Sequence, residues 1–123
     1  MKVPALTDRE WSVMEALWQL GGPELGQVVD SLAAGTGWRR NTVHTYLTRL
    51  EAKGLVSIDK SASPHRYYPA VTREDCSAAA RQSLLERVYH GSAGRLVAAF
   101  VQDGGLTEQE RQQLRRLLDD MEV

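Results

Sequence analysis

The stretch that decides the fold is RRNTVHTYLTRLEAKG, residues 39–54. Within it, Val43, Tyr46, Leu47 and Leu50 recur at intervals of three and four residues, the spacing of one apolar helix face. A lysine followed by a glycine, as at residues 53–54, is typical of a helix end. The stretch therefore predicts a helix that packs against the rest of the protein through this face.

Short polar side chains occupy the opposite side of the predicted helix, where Asn41, His44, Thr45 and Thr48 repeat the same spacing. A helix face that meets only water usually carries glutamate, lysine or glutamine, which form helices better than threonine does. Asparagine can pair with adenine, and threonine can exchange a hydrogen bond with a base or place its methyl group against that of thymine. We therefore interpret this face as one that reads DNA bases.

Two shorter helices are predicted before this one. Thr7 followed by Glu10 is a helix-capping pattern that starts the first, and Gly21-Gly22 ends it. Pro23 is expected to open the second helix, and Ala34-Gly35-Thr36-Gly37 to form the turn after it. Three short helices with short links have the size and order of a helix-turn-helix module.

The next segment is rich in strand-forming residues. Residues 55–59 and 66–68 are predicted strands, residues 60–65 form the turn between them, and Pro69 ends the hairpin. An isolated hairpin is marginally stable, so it should lean on the helices. The expected fold is mainly α: a winged helix-turn-helix DNA-binding domain with a small β-hairpin wing, over residues 1–71.

Charge is unevenly distributed along the chain. The net charge is -1, but residues 38–73 alone carry +5, and the segments before and after carry -3 each. A basic segment between acidic ones suggests a local anionic partner, and a solvated basic surface is the alternative. The candidates for phosphate contact are Arg39, Arg40, Arg49, Lys53, Lys60, His65 and Arg66.

The remaining residues, 72–123, predict three helices, two of which begin at a capping threonine, Thr72 or Thr107. Three helices of this length make a thin core, which pairing with a second copy would complete. The alternative is that they pack back on the winged helix. We expect a C-terminal three-helix dimerisation domain, whose interface comprises Leu84, Leu85, Val88, Leu96, Val97, Phe100, Leu114, Leu117, Leu118 and Met121. A two-fold dimer would place its recognition helices about 34 Å or a multiple of it apart, matching a palindromic operator.

Several classes of function are disfavoured. No run approaches the roughly 18 apolar residues of a membrane span, and the N-terminus lacks a signal-peptide core, so we expect a cytoplasmic protein without membrane insertion. Cys76 is the single cysteine, and His44, His65 and His90 fall in different elements, so neither metal nor cofactor is expected. Because no nucleophile-and-base motif or glycine-rich phosphate loop appears, a catalytic site is not expected either.

Three motifs carry a resemblance to a known family. They are Leu-Thr-Asp-x-Glu-Trp-x-Val-Met-x-x-Leu-Trp at 6–18, Asn-Thr-Val-x-Thr-Tyr-Leu-Thr-Arg-Leu-x-x-Lys-Gly-Leu-Val at 41–56 and Tyr-Tyr-Pro at 67–69. With Val-Tyr-His-Gly at 88–91, residues 96–101 and the final Leu-Thr-x-x-Glu helix, the chain resembles the penicillinase-repressor (BlaI/MecI) family over almost its whole length.

The resemblance implies a dimeric repressor that binds inverted repeats upstream of resistance genes, often for a β-lactamase, and that is relieved by proteolysis through a membrane-bound sensor-protease. The family's recognition positions fall on Asn41, Thr42, His44 and Thr45. Better-known members carry lysine at the position of Asn41 and arginine at that of His44. Their scissile Asn-Phe bond corresponds to Ala99-Phe100, the candidate cleavage region here.

Other classes of function are alternatives to a repressor of resistance genes. The protein could be a ligand- or metal-responsive repressor of other genes, although the paired C-terminal cysteines of copper-responsive relatives are lacking in this sequence. A winged helix can also be a protein-interaction module that never touches nucleic acid. A hydrolase is the least supported alternative.

Overall fold

The computed structural model describes residues 3–121 of the chain. The elements, in order, are α1 (Asp8–Leu20), α2 (Leu25–Thr36), α3 (Arg40–Ala52), β1 (Val56–Asp59), β2 (Arg66–Pro69), α4 (Arg73–Val88), α5 (Ala93–Gln102) and α6 (Glu108–Asp119). The predicted order of helices and strands is confirmed.

The chain forms two compact units, one up to Arg81 and one from Gln82 onward. It passes from the first to the second inside α4. The functional domains expected at residues 1–71 and 72–123 stay a prediction.

Capping threonines start three of the helices as predicted. The Glu10 amide donates to Thr7 Oγ1 at 3.2 Å, and the Thr7 amide donates back to Glu10 Oε1 at 2.9 Å. The same reciprocal pair joins Thr107 to Glu110 at the start of α6. At α4, Thr72 and Asp75 are joined in the same way. Each pair satisfies two amide groups that have no partner within the helix.

The second helix differs from its prediction at both ends. It begins at Leu25, capped by Glu24, because the Pro23 carbonyl accepts a hydrogen bond from the Tyr67 amide at 2.9 Å and so belongs to the contact with the hairpin. It also continues to Thr36, so the turn expected at residues 34–37 is wrong. The Thr36 hydroxyl donates to the Leu32 carbonyl at 2.8 Å, and Gly37 ends the helix in the left-handed conformation.

The core of the first unit lies between α1, α2, α3 and the hairpin. The hairpin is antiparallel and pairs Val56 with Pro69 and Asp59 with Arg66. Pro69 is thus the last paired residue of β2, rather than the residue that follows the strand. This arrangement is the predicted winged helix. Its buried residues are Val13, Met14, Ala16, Leu17, Val28, Leu32, Val43, Leu47, Leu50, Leu55, Val56 and Tyr67.

The hairpin has a third, very short neighbour that the sequence did not reveal. Glu24 forms an isolated antiparallel bridge with Arg66. The segment just before α2 therefore borders the wing and ties it to the helices.

The second unit is packed more loosely than the first. None of the described residues from 82 to 121 is fully buried, and α5 and α6 each expose part of their apolar stripe. Phe100 is 55% exposed and Leu117 is 68% exposed. The single chain therefore leaves a large part of these stripes in water.

Within residues 3–121, none of the helices combines the length and the apolar character that crossing a membrane requires.

Candidate nucleic-acid interface

The two faces of α3 divide as predicted. Val43, Leu47 and Leu50 are fully buried against the helices and the hairpin. Asn41, His44, Thr45 and Thr48, which we call the DNA-reading face after the role predicted for it, are all exposed, as is Thr42. The buried stripe anchors the helix and leaves the DNA-reading face open to a duplex groove.

The threonine hydroxyls of this face are bonded within the helix. Thr45 Oγ1 donates to the Asn41 carbonyl, and Thr48 Oγ1 donates to the His44 carbonyl, both at 2.9 Å. In this conformation the hydroxyl protons are engaged, so each threonine presents acceptor lone pairs and a methyl group. Such a face suits adenine and cytosine amino groups and the thymine methyl.

Basic residues flank the start of α3. Arg39 is its N-cap, Arg40 is its first residue, and both are exposed. Arg49, also exposed, lies two turns further along the helix. All three are thus available at the surface of the helix that carries the DNA-reading face, and their role as phosphate contacts stays a prediction.

The other predicted phosphate ligands already have partners in the protein, except for the exposed His65. Lys53 Nζ lies 2.6 Å from Glu10 Oε2, and Lys60 Nζ lies 4.0 Å from Glu51 Oε2. Arg66 Nε donates to the Gly22 carbonyl at 2.7 Å. The role of these side chains in binding phosphate stays a prediction.

Glu10 is a buried, charged side chain. Burial by itself would raise the pKa of its carboxyl, but the hydrogen bonds from Lys53 and from the Thr7 amide outweigh that effect and hold the pKa below the ordinary value of 4.5. Glu10 thus joins the start of α1 to the end of α3. This link helps to set the position of α3 on the body of the unit.

The three tyrosines near the interface pack in different ways. Tyr67 is buried in the core, and Tyr68 lies against Gly22, which agrees with the predicted packing of the hairpin on the helices. Tyr46 instead lies on Trp38, with ring centroids 5.2 Å apart. Its hydroxyl accepts a hydrogen bond from Arg9 Nη1 at 3.3 Å.

Arg9 is a candidate that sequence reasoning missed. It falls in the acidic N-terminal segment, so the charge pattern along the chain gave no signal for it. The fold nevertheless brings Arg9 to the side of α3. Its hydrogen bond to Tyr46 raises the pKa of its guanidinium above the ordinary value.

The predicted dimer contacts lie on the end of α4, on α5 and on α6, except for Met121, which follows α6. Leu84, Leu85, Leu96 and Leu114 are half-buried, whereas Val88, Val97, Phe100, Leu117, Leu118 and Met121 are exposed. Ala99 and Phe100, the candidate cleavage region, lie inside α5. A protease needs an extended substrate, so cleavage there would require α5 to open.

Among the described residues, no group of three or more histidine, cysteine, aspartate or glutamate side chains is placed to hold a metal ion. Cys76 is buried, and this burial raises the pKa of its thiol, which disfavours the reactive thiolate.

Comparison with known proteins agrees with this geometry. The family model described as "Penicillinase repressor" matches residues 6–120. The methicillin resistance regulatory protein MecI of Staphylococcus aureus is 26% identical over 118 residues, which span 96% of this chain and 96% of MecI. The penicillinase repressor of Bacillus licheniformis is 27% identical over 119 residues, which span 97% of this chain and 93% of that protein.

Solved structures match about three fifths of the chain. The Bacillus licheniformis BlaI monomer in complex with the blaP half-operator is 28% identical, with a TM-score of 0.54, over 60% of this chain and 90% of that one. The DNA-binding domain of the repressor BlaI is 29% identical, with a TM-score of 0.53, over 61% of this chain and 93% of that one. With its winged helix, its exposed α3 face and the family match over residues 6–120, the chain belongs to the penicillinase repressor family, a family of DNA-binding transcriptional repressors and not of enzymes.

Proposed function

We propose that this protein represses transcription in the cytoplasm as a homodimer on a palindromic DNA operator, with α3 of each copy in the major groove. The regulated genes are of the β-lactamase type. The observation that carries the proposal is the exposed DNA-reading face of α3, whose opposite face is buried in the core. The BlaI complex with a half-operator supports duplex DNA as the ligand.

Asn41, Thr42, His44, Thr45 and Thr48 are proposed to read bases, and Arg39 and Arg40 to bind phosphates. The family resemblance implies basic side chains at the positions of Asn41 and His44 in better-known members, so this chain would place fewer charges in the groove and recognise a different base sequence. Its operator is therefore best obtained by selecting bound duplexes from random DNA.

Substituting Asn41 and Arg40 separately tests this assignment. Asn41→Ala should weaken binding to the selected operator by about 1–3 kcal/mol and leave binding to random DNA almost unchanged. Arg40→Ala should weaken binding to both and reduce the salt dependence, because it removes a phosphate contact. Fluorescence anisotropy with both duplexes at several salt concentrations measures each effect.

The control in this experiment is the wild-type protein on the same two duplexes. If Asn41→Ala lowers the affinity for operator and for random DNA equally, the base-reading assignment is contradicted. A wild-type affinity that does not depend on salt, or no DNA binding at all, would favour the protein-interaction module instead.

The dimer is proposed from the second unit. Its apolar stripes are exposed in the single chain, and a second copy would remove them from water. Since a two-fold dimer presents the same surface twice, the two α3 helices would meet the two halves of an inverted repeat.

Relief of repression is proposed to follow cleavage in the Ala99-Phe100 region by a membrane-bound sensor-protease. Because this bond lies inside α5, opening of that helix would have to precede cleavage. Intact-mass measurement of the protein from cells treated with a β-lactam tests this step. Derepression with the chain still intact would contradict it.

A further inference from the structure

A groove of about 430 Å³ lies between the start of α1 and the side of α3. We call it the α1–α3 groove. None of the base-reading candidates lines it. Its lining residues are Thr7, Asp8, Arg9, Glu10, Tyr46, Arg49 and Lys53.

Tyr46 gives this groove a fixed polar group. Its ring is held against Trp38 at 5.2 Å between centroids, and its hydroxyl oxygen accepts from Arg9 Nη1 at 3.3 Å. Since the oxygen is the acceptor in that bond, the hydroxyl proton is available to a further acceptor. Arg9 likewise has guanidinium N–H groups left for a second partner.

The charges of the groove favour an anion. Lys53 neutralises Glu10 at 2.6 Å, so these two side chains contribute little net charge. Arg9 and Arg49 take part in no salt bridge with any residue from 3 to 121. The lining therefore holds two unpaired guanidinium groups and one remaining carboxylate, that of Asp8.

The α1–α3 groove continues into a second one that runs along the DNA-reading face. This second groove, of about 300 Å³, is lined by Asn41, Thr42, Thr45, Tyr46 and Arg49. Tyr46 and Arg49 line both grooves. A duplex whose base edges meet Asn41 and Thr45 would therefore bring its backbone toward Arg9.

We propose that Arg9, Tyr46 and Arg49 together bind one backbone phosphate of duplex DNA in the α1–α3 groove, on the edge of α3 that adjoins α1. The inference rests on the proposed function and extends it, because it makes α1 part of the DNA-binding surface. A guanidinium can donate two parallel hydrogen bonds to a phosphate, and the tyrosine hydroxyl adds a third donor. The contact supplies affinity and register without reading sequence.

The test compares Arg9→Ala with the matched control Arg81→Ala, which removes the same charge from an exposed position on α4. Binding of the selected operator and of random duplex DNA is measured at several salt concentrations. Arg9→Ala should weaken binding to both duplexes about tenfold, as for one charge-assisted hydrogen-bonded contact. The slope of log affinity against log salt should fall in magnitude by about 0.9, the value for one phosphate. Arg81→Ala should leave both the affinity and the salt slope closer to the wild-type values than Arg9→Ala does.

Two further variants separate a phosphate contact from a merely structural bond between Arg9 and Tyr46. Arg9→Lys should keep the wild-type salt slope, because the charge remains. Tyr46→Phe should weaken binding to both duplexes about threefold. The slope of log affinity against log salt should not change, because the lost donor is uncharged. Thermal unfolding of each variant shows whether it is folded under the binding conditions.

The outcomes separate the two proposals. If the wild type binds its operator with a steep salt dependence and Arg9→Ala keeps that slope, the inference is wrong and the proposed function stands. A loss of thermal stability in Arg9→Ala with an unchanged slope also overturns the inference, since it assigns Arg9 a structural role. If the wild type does not bind DNA, both proposals fall.

Discussion

Glu10 shows how one side chain can serve two purposes. Its carboxylate caps α1 by accepting the Thr7 amide and also pairs with Lys53 at the end of α3. Glu10 is the single buried charged residue among the described residues, with 5% of its surface exposed. A buried charge of this kind is tolerated because the bonds it accepts offset its desolvation.

The Glu10 pair predicts a pH-dependent stability. The pKa of Glu10 is lowered on folding, so its stabilising effect is present above the unfolded value of 4.5 and is lost as the pH falls through the folded pKa. Glu10→Gln should lower the free energy of unfolding by about 1 kcal/mol at neutral pH, a modest value because Lys53 is half-exposed. The difference from wild type should narrow below pH 4.5.

Urea denaturation at neutral and acidic pH measures this difference. Glu110→Gln is the matched control, because the exposed Glu110 makes the same capping pair at α6 and pairs with no lysine within the described residues. A destabilisation by Glu10→Gln that is constant over the whole pH range would contradict the assignment.

At the scale of elements, the position of the wing depends on the turn after α1. Gly22 has a φ of +80°, and its carbonyl accepts the hydrogen bond from Arg66. A Cβ atom at Gly22 would overlap the ring of Tyr68 on the wing. The glycine therefore allows both the left-handed backbone and the close approach of the hairpin.

Replacing this glycine should destabilise the first unit. Gly22→Ala adds left-handed strain and an overlap with Tyr68, for which we expect a loss of about 2 kcal/mol in the free energy of unfolding. Gly21→Ala is the control: Gly21 has a φ of +66°, but an added Cβ there would meet no atom within 4 Å. Gly21→Ala should lower the free energy of unfolding by about 1 kcal/mol, because it adds only the left-handed strain. Equal losses in denaturant unfolding would show that the contact with Tyr68 is unimportant.

At the scale of the whole molecule, the apolar stripes of the second unit remain exposed to water in the single chain. Phe100 and Leu117 are more than half exposed, although their helices are well formed. Apolar surface of this kind is commonly covered by a partner. A second copy is the proposed partner.

Charged substitutions at these positions should therefore dissociate the proposed dimer. Phe100→Glu or Leu117→Glu would place a carboxylate in the proposed interface, and sedimentation velocity should show monomers at concentrations where the wild type is dimeric. Leu20→Glu is the matched control, because Leu20 is an exposed leucine at the end of α1 in the first unit. If both second-unit variants sediment as intact dimers, the proposed interface is wrong.

Local patterns in the sequence were enough to predict most of the elements. The capping threonines, the apolar spacing of α3 and the strand-forming residues of the hairpin act over a few residues, so their effects can be recognised without a structure. The same applies to the DNA-reading face, because its members share one side of one helix.

The tertiary structure decided the contacts between residues distant in sequence. Arg9 meets Tyr46, Lys53 meets Glu10, and Arg66 reaches Gly22, each across roughly forty residues of chain. Such pairs depend on how α1, α3 and the wing pack together, and packing angles are not encoded in the periodicity of any one element. The sequence by itself thus determined which face of α3 is exposed, whereas the fold decided which distant side chains stand beside that face.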